Sequence, residues 1–460
     1  MEQHNTATEN ASASADAAST SPVIIPRAEH GISRANISRN ALKVLYRLKE
    51  AGYRACLVGG GVRDLLLGRE PKDFDVATDA HPEEVNRLFR NCRLVGRRFR
   101  LAHVRFGREI IEVATFRAPH DNGDDDTGSE ENGDALVEDG RLIRDNVYGT
   151  IEQDAWRRDF TVNALYYDIA DFSVVDYAGG MEDLRQGVLR LIGDPEVRLR
   201  EDPVRMLRAV RFAAKLGFRV DPTCEAAIPR MAGLLAEVAP ARLFDEAIKL
   251  FHGGYGVQTF EMLRRYDLFR YLFPGTEEAL SHEENNFPIT FVANALKSTD
   301  ERIDEGKGVN PAFLYAVMLW EPVRRLADNL MESGTPWLPA LQQAGGAVLS
   351  EQAAHIAIPK RFGLPMREIW EMQPRFDQRR GGRALRLLGH PRFRAAYDFY
   401  CLRAASGEAL EEGCEWWTRI QEVSADEQRR MVSAGDGAGD SPGGRRRRRR
   451  PRRRKSDSGG

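Results

Sequence analysis

The chain of 460 residues is 42% hydrophobic, which is enough for the cores of two or three domains. It has no apolar run as long as a membrane span, and its five cysteines form no CxxC pair, so the composition speaks against a membrane-spanning protein and against a zinc site. The formal net charge of −2 hides an asymmetry: residues 1–444, with 57 basic and 68 acidic residues, carry −11, and residues 445–460, with ten basic and one acidic, carry +9.

The N-terminal segment predicts a disordered tail. Residues 1–22 are rich in Ala, Ser, Thr and Asn and lack the apolar core of an export signal. Scattered cysteines are typical of a reduced protein. A cytoplasmic location is therefore expected.

An amphipathic helix is predicted at residues 37–52, because apolar residues alternate there with Arg and Lys and Gly52 ends the pattern. It leads into a short buried strand at residues 55–58. Three glycines, residues 59–61, then let the backbone turn sharply and approach a ligand closely. The short helix that follows presents its first N–H groups at this turn, where a phosphate is well placed.

Two aspartates follow on the next predicted strand. Asp73 and Asp75 are two residues apart, so their carboxylates are expected on one face while Phe74 turns into the core. Paired carboxylates repel each other unless a cation joins them. A phosphate-binding turn beside such a pair indicates metal-dependent phosphoryl or nucleotidyl transfer, with Mg²⁺ as the expected metal and Mn²⁺ as the alternative.

Further strands are predicted at residues 92–95, 102–106 and 109–116, after a helix at residues 82–89. Glu112 on the last strand is a candidate third carboxylate for the metal. An edge-strand glutamate that faces water is the equal alternative.

Two segments among these strands carry dense charge. The arginines of GRRFRLAHV, residues 96–104, are candidates for contact with triphosphate or RNA, with a solvated turn as the alternative. HDNGDDDTGSEENGD, residues 120–134, is acidic and without apolar residues, so it predicts a disordered insertion. The glycine and glutamate spacing of an EF-hand loop is absent from it.

Two more motifs follow. RRDFTVNA, residues 157–164, lies at the end of a predicted helical stretch, and EDPVRMLR, residues 201–208, begins a helix at Asp202 and Pro203. Adenine needs an acceptor for its amino group and a donor for its ring nitrogen. A carboxylate and a guanidinium one helical turn apart, as in Asp202 and Arg205, supply both.

Taken together, GGGVRD, DFD, RRDFTVNA and EDPVRMLR resemble the nucleotidyltransferase head and neck of bacterial poly(A) polymerases and class II CCA-adding enzymes. The resemblance covers roughly residues 32–422. GRRFRLAHV and the cationic tail favour the poly(A) polymerase branch.

This resemblance implies a site. Asp73 and Asp75 would be catalytic and hold the metal with Glu112, and Asp159 would complete the acidic cluster or hold Arg158 and the ribose in place. The implied nucleotide-binding residues are Gly60, Gly61, Arg63, Arg158, Asn163, Asp202, Arg205 and Arg208. The structural alternatives are an ion pair on a helix surface for Arg158 and Asp159, a turn residue for Asn163 and a helix cap for Asp202.

The remaining chain predicts helices only. Arginines mix with aromatic and glycine residues at 361–362 and 375–383, a combination that either holds an RNA strand or ends a solvated helix. The basic tail would bind a polyanion, with a solubilising end as the alternative. The expected α+β architecture consists of a disordered tail (1–31), a head of small mixed sheet and helices (32–185) with a disordered insertion at about 120–136, a helical neck (186–275), a helical body that binds RNA (276–425) and a disordered Arg-rich tail (426–460).

The resemblance implies an enzyme that adds AMP from ATP to RNA 3′ ends without a template. A CCA-adding tRNA nucleotidyltransferase is the alternative within the enzyme class. A non-catalytic RNA-binding protein on the same scaffold is the alternative outside it, and the presence of both aspartates in DFD argues against it.

Overall fold

The computed structural model describes residues 21–96, 100–118, 135–138, 141–145, 147–281 and 287–433. The chain divides into two compact units after Leu272. Arg97 and Arg98, nearly all of the predicted acidic insertion and the basic tail lie outside the described residues.

The first unit contains the strands and eleven of the described helices. The strands are β1 Val23–Ile25, β2 Ala55–Val58, β3 Asp75–Thr78, β4 Cys92–Val95, β5 Leu101–Phe106, β6 Glu109–Thr115, β7 Ala135–Glu138, β8 Arg141–Asp145, β9 Leu165–Asp168, β10 Val174–Asp176, β11 Val188–Leu189 and β12 Arg219–Val220. The helices are α1 Arg39–Glu50, α2 Gly60–Leu66, α3 Pro82–Leu88, α4 Ile151–Trp156, α5 Gly180–Gln186, α6 Pro195–Glu201, α7 Val204–Leu216, α8 Pro222–Met231, α9 Pro240–Phe251, α10 Gly256–Arg265 and α11 Phe269–Leu272.

Eight strands form one mixed sheet in the order β1-β10-β9-β2-β3-β6-β5-β4. β2 lies at its centre, antiparallel to both β3 and β9, while β3 runs parallel to β6. All four β2 residues are buried, which agrees with the short apolar strand that the sequence predicts. The mixed head sheet with helices is therefore confirmed.

The N-terminal tail is shorter than predicted. Val23–Ile25, which was predicted to belong to a disordered tail that ends at residue 31, pairs antiparallel with β10 as an edge strand. Two of its three side chains are exposed. A three-residue edge strand held mainly by backbone bonds has little hydrophobic pattern to predict it.

Helix α1 agrees closely with its prediction. Ser38 caps it by accepting hydrogen bonds from the backbone N–H groups of Asn40 and Ala41. Its buried face packs on the central strands through Ala41, Val44, Leu45 and Leu48.

The second unit is helical, as predicted: within the described residues no strand follows Val220. Its helices are α12 Pro274–Ser281, α13 Phe287–Asp304, α14 Pro311–Met318, α15 Trp320–Glu332, α16 Trp337–Gln352, α17 Lys360–Met372, α18 Gly381–Leu388, α19 Phe393–Ala405, α20 Glu411–Glu422 and α21 Ala425–Ser433. Helix α21 extends eight residues into the predicted C-terminal tail, so that boundary was placed too early. None of the described helices is long and apolar enough to cross a membrane.

An aromatic cluster fills the end of this unit. Phe376 is fully buried and stacks on Tyr400, with ring centroids 4.8 Å apart. Trp417 packs edge-on against Phe376 at 5.3 Å and donates a hydrogen bond to its carbonyl. The sequence left Phe376 either to help hold an RNA strand or to lie at a solvated helix end; its burial shows that it belongs to the core instead.

Two cysteines of this unit are paired. Cys401 of α19 and Cys414 of α20 form a disulfide, with Cα atoms 5.2 Å apart. The expectation of a fully reduced chain is wrong for this pair. A separation of 13 residues, with no characteristic spacing, gave no signal of it.

Candidate active site

A glycine turn joins β2 to α2. Gly59 has φ 72° and ψ −142°, a conformation that is essentially confined to glycine. A Cβ on Gly61 would lie 3.3 Å from the Asp73 carbonyl oxygen. The glycines therefore let the start of α2 press against the segment that carries the two aspartates.

Asp73 and Asp75 border this turn. Val58, just before the turn, pairs with Asp75, and a Cβ on Gly59 would lie 4.0 Å from Asp75 Oδ2. Asp75 opens β3, whereas Asp73 precedes the strand and is exposed. Phe74 is half-buried rather than in the core and packs beside Gly61.

The electrostatics at Asp75 are unfavourable without a cation. Burial raises its pKa most, the negative charges of Glu112 and Asp73 raise it further, and Arg158 partly offsets them, which leaves a pKa of about 6. Asp73 and Asp75 thus act on each other through space, as expected for carboxylates at one site.

A third carboxylate does not complete a metal cage in this structure. Glu112 pairs with Asp75 in the sheet register, but its Oε1 lies 3.3 Å from His103 Nε2. Asp159 is bound to Arg208. Across the described residues, no group of three or more His, Cys, Asp or Glu side chains is arranged to hold a metal ion. The predicted third ligand, whether Glu112 or Asp159, is therefore not seen.

Arg158 faces the glycine turn, with Nη1 3.7 Å from a Cβ placed on Gly59. Its Nη2 donates to Asp154 Oδ2 at 2.9 Å, and its Nε donates to the Tyr166 hydroxyl at 2.9 Å. Tyr166 in turn donates to Asp154 at 2.7 Å. Burial would raise the pKa of Asp154, but Arg158 and the Tyr166 hydrogen bond outweigh it, and the pKa is lowered. Arg158 is thus a fixed cation beside Asp75, held by Asp154 rather than by Asp159.

Arg63 does not lie where a triphosphate could touch it. Its side chain is 1% exposed, and it donates to Asp64 Oδ1 at 2.6 and 2.8 Å and to Asn163 Oδ1 at 2.5 Å. Its Nη2 would be 3.3 Å from a Cβ on Gly60. The direct phosphate contact predicted for Arg63 is therefore not seen; its guanidinium supports the glycine turn from behind.

A chain of hydrogen bonds links this turn to the neck helix α7. Asn163 accepts from Arg63 and donates to Asp159 Oδ1 at 3.3 Å. Asp159 accepts from Arg208 Nε of α7 at 2.7 Å. Burial would raise the pKa of Asp159, but Arg208 and the hydrogen bonds from Phe160 N–H and Asn163 lower it overall. Asn163, Asp159 and Arg208 thus connect the glycine turn to α7.

Three arginine guanidiniums lie close to the ring of Phe212 on α7. The guanidinium carbons of Arg63, Arg208 and Arg211 lie 5.3, 5.5 and 4.4 Å from its ring centroid. Cation–π attraction to this ring partly offsets the mutual repulsion of the three guanidiniums.

The predicted adenine readers lie at the start of α7. Asp202 lies just before α7, whose N-cap residue is Pro203; it accepts from Val204 N–H at 3.2 Å, and its other oxygen accepts from Arg242 at 2.7 Å. Arg205 donates to Glu201 at 2.8 Å and to the Arg198 carbonyl. Both side chains are thus engaged by protein partners, which a base would have to displace if these residues read it as predicted.

Sequence reasoning missed several supporting residues. Asp154 carries a signal in the sequence, because it lies four residues before Arg158 in a stretch that is predicted to be helical, although α4 itself ends at Trp156. Asp64 is adjacent to Arg63 in GGGVRD, but nothing in the motif shows that it binds Arg63. Arg242 and Phe212 carry no signal, since their contacts with Asp202 and Arg63 join segments distant in sequence.

Known proteins resemble this chain over most of its length. Three family models match: "Poly A polymerase head domain" over residues 55–190, "Probable RNA and SrmB- binding site of polymerase A" over residues 217–280, and "Polymerase A arginine-rich C-terminus" over residues 333–454.

Poly(A) polymerase I of Salmonella typhimurium is 52% identical over 413 residues, 89% of this chain and 88% of that protein. The CCA-adding enzyme of Bacillus subtilis is 40% identical over only 235 residues, 51% of this chain and 55% of that enzyme. A solved structure titled "Structure of tRNA-processing enzyme complex 3" superposes with a TM-score of 0.58 at 22% identity over 85% of this chain and all of that one, which supports the fold alone. On this identity and coverage, the chain belongs to the poly(A) polymerase I family of nucleotidyltransferases.

Proposed function

We propose that this protein is a template-independent polynucleotide adenylyltransferase, which transfers AMP from ATP to the 3′-hydroxyl of RNA and releases pyrophosphate. The 52% identity to a poly(A) polymerase I over 89% of the chain carries this proposal. The site supports it, because an acidic pair, a glycine turn and a fixed arginine adjoin one another in the first unit.

The residues fit a divalent cation. Asp75 carries a carboxylate whose negative charge is opposed by burial and by two acidic neighbours, and a cation would relieve that conflict. Carboxylate oxygens are the ligands that Mg²⁺ prefers. Asp73 and Asp75 would hold Mg²⁺, with Mn²⁺ as a substitute. When bound, the metal supplies Lewis acidity at the α-phosphate and lowers the pKa of the attacking hydroxyl.

The protein's own groups align the substrates. The N–H groups of Gly60 and Gly61, at the start of α2, would bind the triphosphate, and Arg158 would neutralise it from the side of Gly59. Asp202 and Arg205 would read adenine after giving up Arg242 and Glu201 as partners. Four further residues would position these groups without contacting the nucleotide, because their hydrogen bonds connect the glycine turn to α7. They are Arg63, Asn163, Asp159 and Arg208. Rate enhancement then comes from alignment and charge neutralisation.

RNA 3′ ends would be the acceptor, and the polycationic tail of residues 445–460 adds attraction for RNA of any sequence. We propose that messenger RNAs are among the substrates and that the reaction takes place in the cytoplasm.

Incubation of the purified protein with a short RNA and each nucleoside triphosphate separately tests the proposal. We expect long tails with ATP and Mg²⁺ only, and no extension by the Asp73→Asn variant. Use of CTP with arrest after three additions would show a CCA-adding enzyme instead. RNA binding without any extension would show a non-catalytic RNA-binding protein instead.

A further inference from the structure

A cleft lies along helix α1, on a surface to which the proposed reaction assigns no role. Its volume is about 440 Å³, and its lining includes Lys43, Arg47, Arg90 and Phe106. A second hollow of about 380 Å³ continues it along α1 and shares Lys43 and Arg47. Together they form one continuous surface, which we call the α1 cleft.

The cations of this cleft are uncompensated. Arg39, Lys43 and Arg47 are exposed and recur every fourth residue, so they form one stripe on α1. Among the described residues none of the three forms an ion pair, and Lys43 Nζ donates only weakly, to Asn40 Oδ1 at 3.4 Å. Glu50 is the one acidic residue among those that line the two hollows in the described chain.

Such a stripe is costly to the helix itself. Like charges four residues apart repel each other and destabilise a helix. Elsewhere in the first unit, exposed arginines such as Arg87, Arg185 and Arg230 each lie beside an acid. An unneutralised stripe is therefore suited to a negative charge that the protein does not supply.

An aromatic ring accompanies the charge. Phe106 is half-buried at the end of β5, and Lys43 Nζ lies 5.8 Å from its ring centroid. Cationic grooves with accessible rings bind single-stranded nucleic acid, because the cations follow the phosphates while a base stacks on the ring.

The α1 cleft lies at the same end of the sheet as the acidic pair, where β6 begins and β5 ends. Phe106 pairs with Glu109, and Asn40 Nδ2 at the start of α1 donates to Glu109 Oε2 at 2.5 Å. Glu109 precedes Glu112 by three residues, about 10 Å along β6, and Glu112 pairs with Asp75. Because residues an odd number apart on a strand point to opposite faces, Glu109 and the α1 cleft lie on the face of the sheet opposite Glu112 and Asp75, so RNA bound in the α1 cleft would occupy a surface separate from the acidic pair.

We propose that the α1 cleft is a second binding site for single-stranded RNA, in which Arg39, Lys43 and Arg47 contact successive phosphates and Phe106 stacks on a base. The identity of the polyanion rests on the proposed function; the existence of an anion-binding cleft does not.

Fluorescence anisotropy with a labelled oligo(A) of about 16 nucleotides tests this site in the full chain, without ATP. In the variant R39Q/K43Q/R47Q we expect the slope of log affinity against log salt to become less negative by about 2, since each phosphate contact on a single strand contributes about 0.7. The matched control R87Q/R185Q/R230Q removes the same charge from arginines that already have acidic neighbours, and its slope should stay near that of the wild type. Equal slopes for the two variants would overturn the proposal.

A second variant tests the single-strand assignment. Phe106→Leu should weaken binding of the oligo(A) about fivefold and leave binding of duplex RNA unchanged, because paired bases cannot stack on the ring. An equal loss for both RNAs would overturn that assignment. A wild type that binds through the α1 cleft but adds no AMP would contradict the proposed function and leave this inference standing.

Discussion

At Asp75 the requirements of the fold and of the chemistry conflict. Its folded pKa of about 6 exceeds the ordinary 3.8, so the folded state holds the proton more tightly than the unfolded state. The stability that depends on this proton is therefore complete below about pH 4 and is lost as the pH rises to about 6. At neutral pH the ionised carboxylate destabilises the metal-free protein.

Asp75→Asn should consequently abolish AMP transfer and yet raise the stability of the metal-free first unit at pH 7.5, by about 1–3 kcal/mol. Thermal unfolding in chelator at pH 7.5 and pH 4 measures this, and the gain should vanish at the lower pH. A variant less stable than the wild type at pH 7.5 would contradict the electrostatic conflict described here.

Asp154 illustrates a buried residue that acts through another. It holds Arg158 by a hydrogen bond of 2.9 Å and shares Tyr166 with it. Asp154→Asn should let the guanidinium move, and a displacement of about 1 Å costs up to roughly a hundredfold in rate. We expect kcat/KM for ATP to fall about tenfold to a hundredfold. Glu152→Gln, on the same helix, is the matched control, and an equal loss in both variants would refute the positioning role.

Among the elements, the connection from α2 to α7 unites the site. Arg63, Asn163, Asp159 and Arg208 join the glycine turn to the neck helix. Removing Arg208 alone would leave the Asp159 carboxylate, whose side chain is 12% exposed, without its main counter-charge.

A double-mutant cycle measures this connection. Arg208→Gln should destabilise the first unit by about 2–4 kcal/mol at pH 7, and adding Asp159→Asn should recover part of the loss. Because the pKa of Asp159 is lowered, the stabilisation is present above the ordinary carboxylate range and is lost as the pH falls. The cost of Arg208→Gln should therefore shrink in acid. Simple additivity of the two changes would show that the pair is not coupled.

Local signals predicted most elements. β4 at Cys92–Val95 lies where the apolar pattern predicts a strand, and α1 ends just before Gly52, which has φ 91°, as predicted. β1 was missed because its pairing partner, β10, is remote in the sequence. The Cys401–Cys414 disulfide was missed because the spacing of the two cysteines matches no characteristic pattern.

The sequence predicted which types of group form the candidate site, but not the contacts that these groups make. Motif order located the glycine turn and the acidic pair, since each is a short contiguous segment. The sequence could not show that Arg63 is buried or that Asp159 binds Arg208, because both facts arise from packing of α2 and α7 around residues 159–163. Burial decides which charged groups meet a ligand and which support those that do.

Over the whole molecule, charge is strongly separated. Residues 1–444 carry −11 and would repel RNA at long range, while residues 445–460 carry +9. Attraction to RNA must then come from the tail and from local surfaces such as the α1 cleft, whose effect is confined to about a Debye length of 8–10 Å at physiological salt.

Deletion of residues 445–460 should therefore raise KM for RNA strongly at moderate salt and leave KM for ATP near its wild-type value, because the proposed nucleotide site lies in the first unit. The salt dependence of RNA affinity should weaken by about 0.7 per lost phosphate contact on a single strand. Combining the deletion with R39Q/K43Q/R47Q should weaken the salt dependence of RNA affinity further, since the tail and the α1 cleft contact different phosphates. Steady-state kinetics across a salt series measure all three variants. If the triple substitution does not change the salt dependence of RNA affinity in the deletion variant, the α1 cleft binds RNA only when the tail is present. The two surfaces are then not independent.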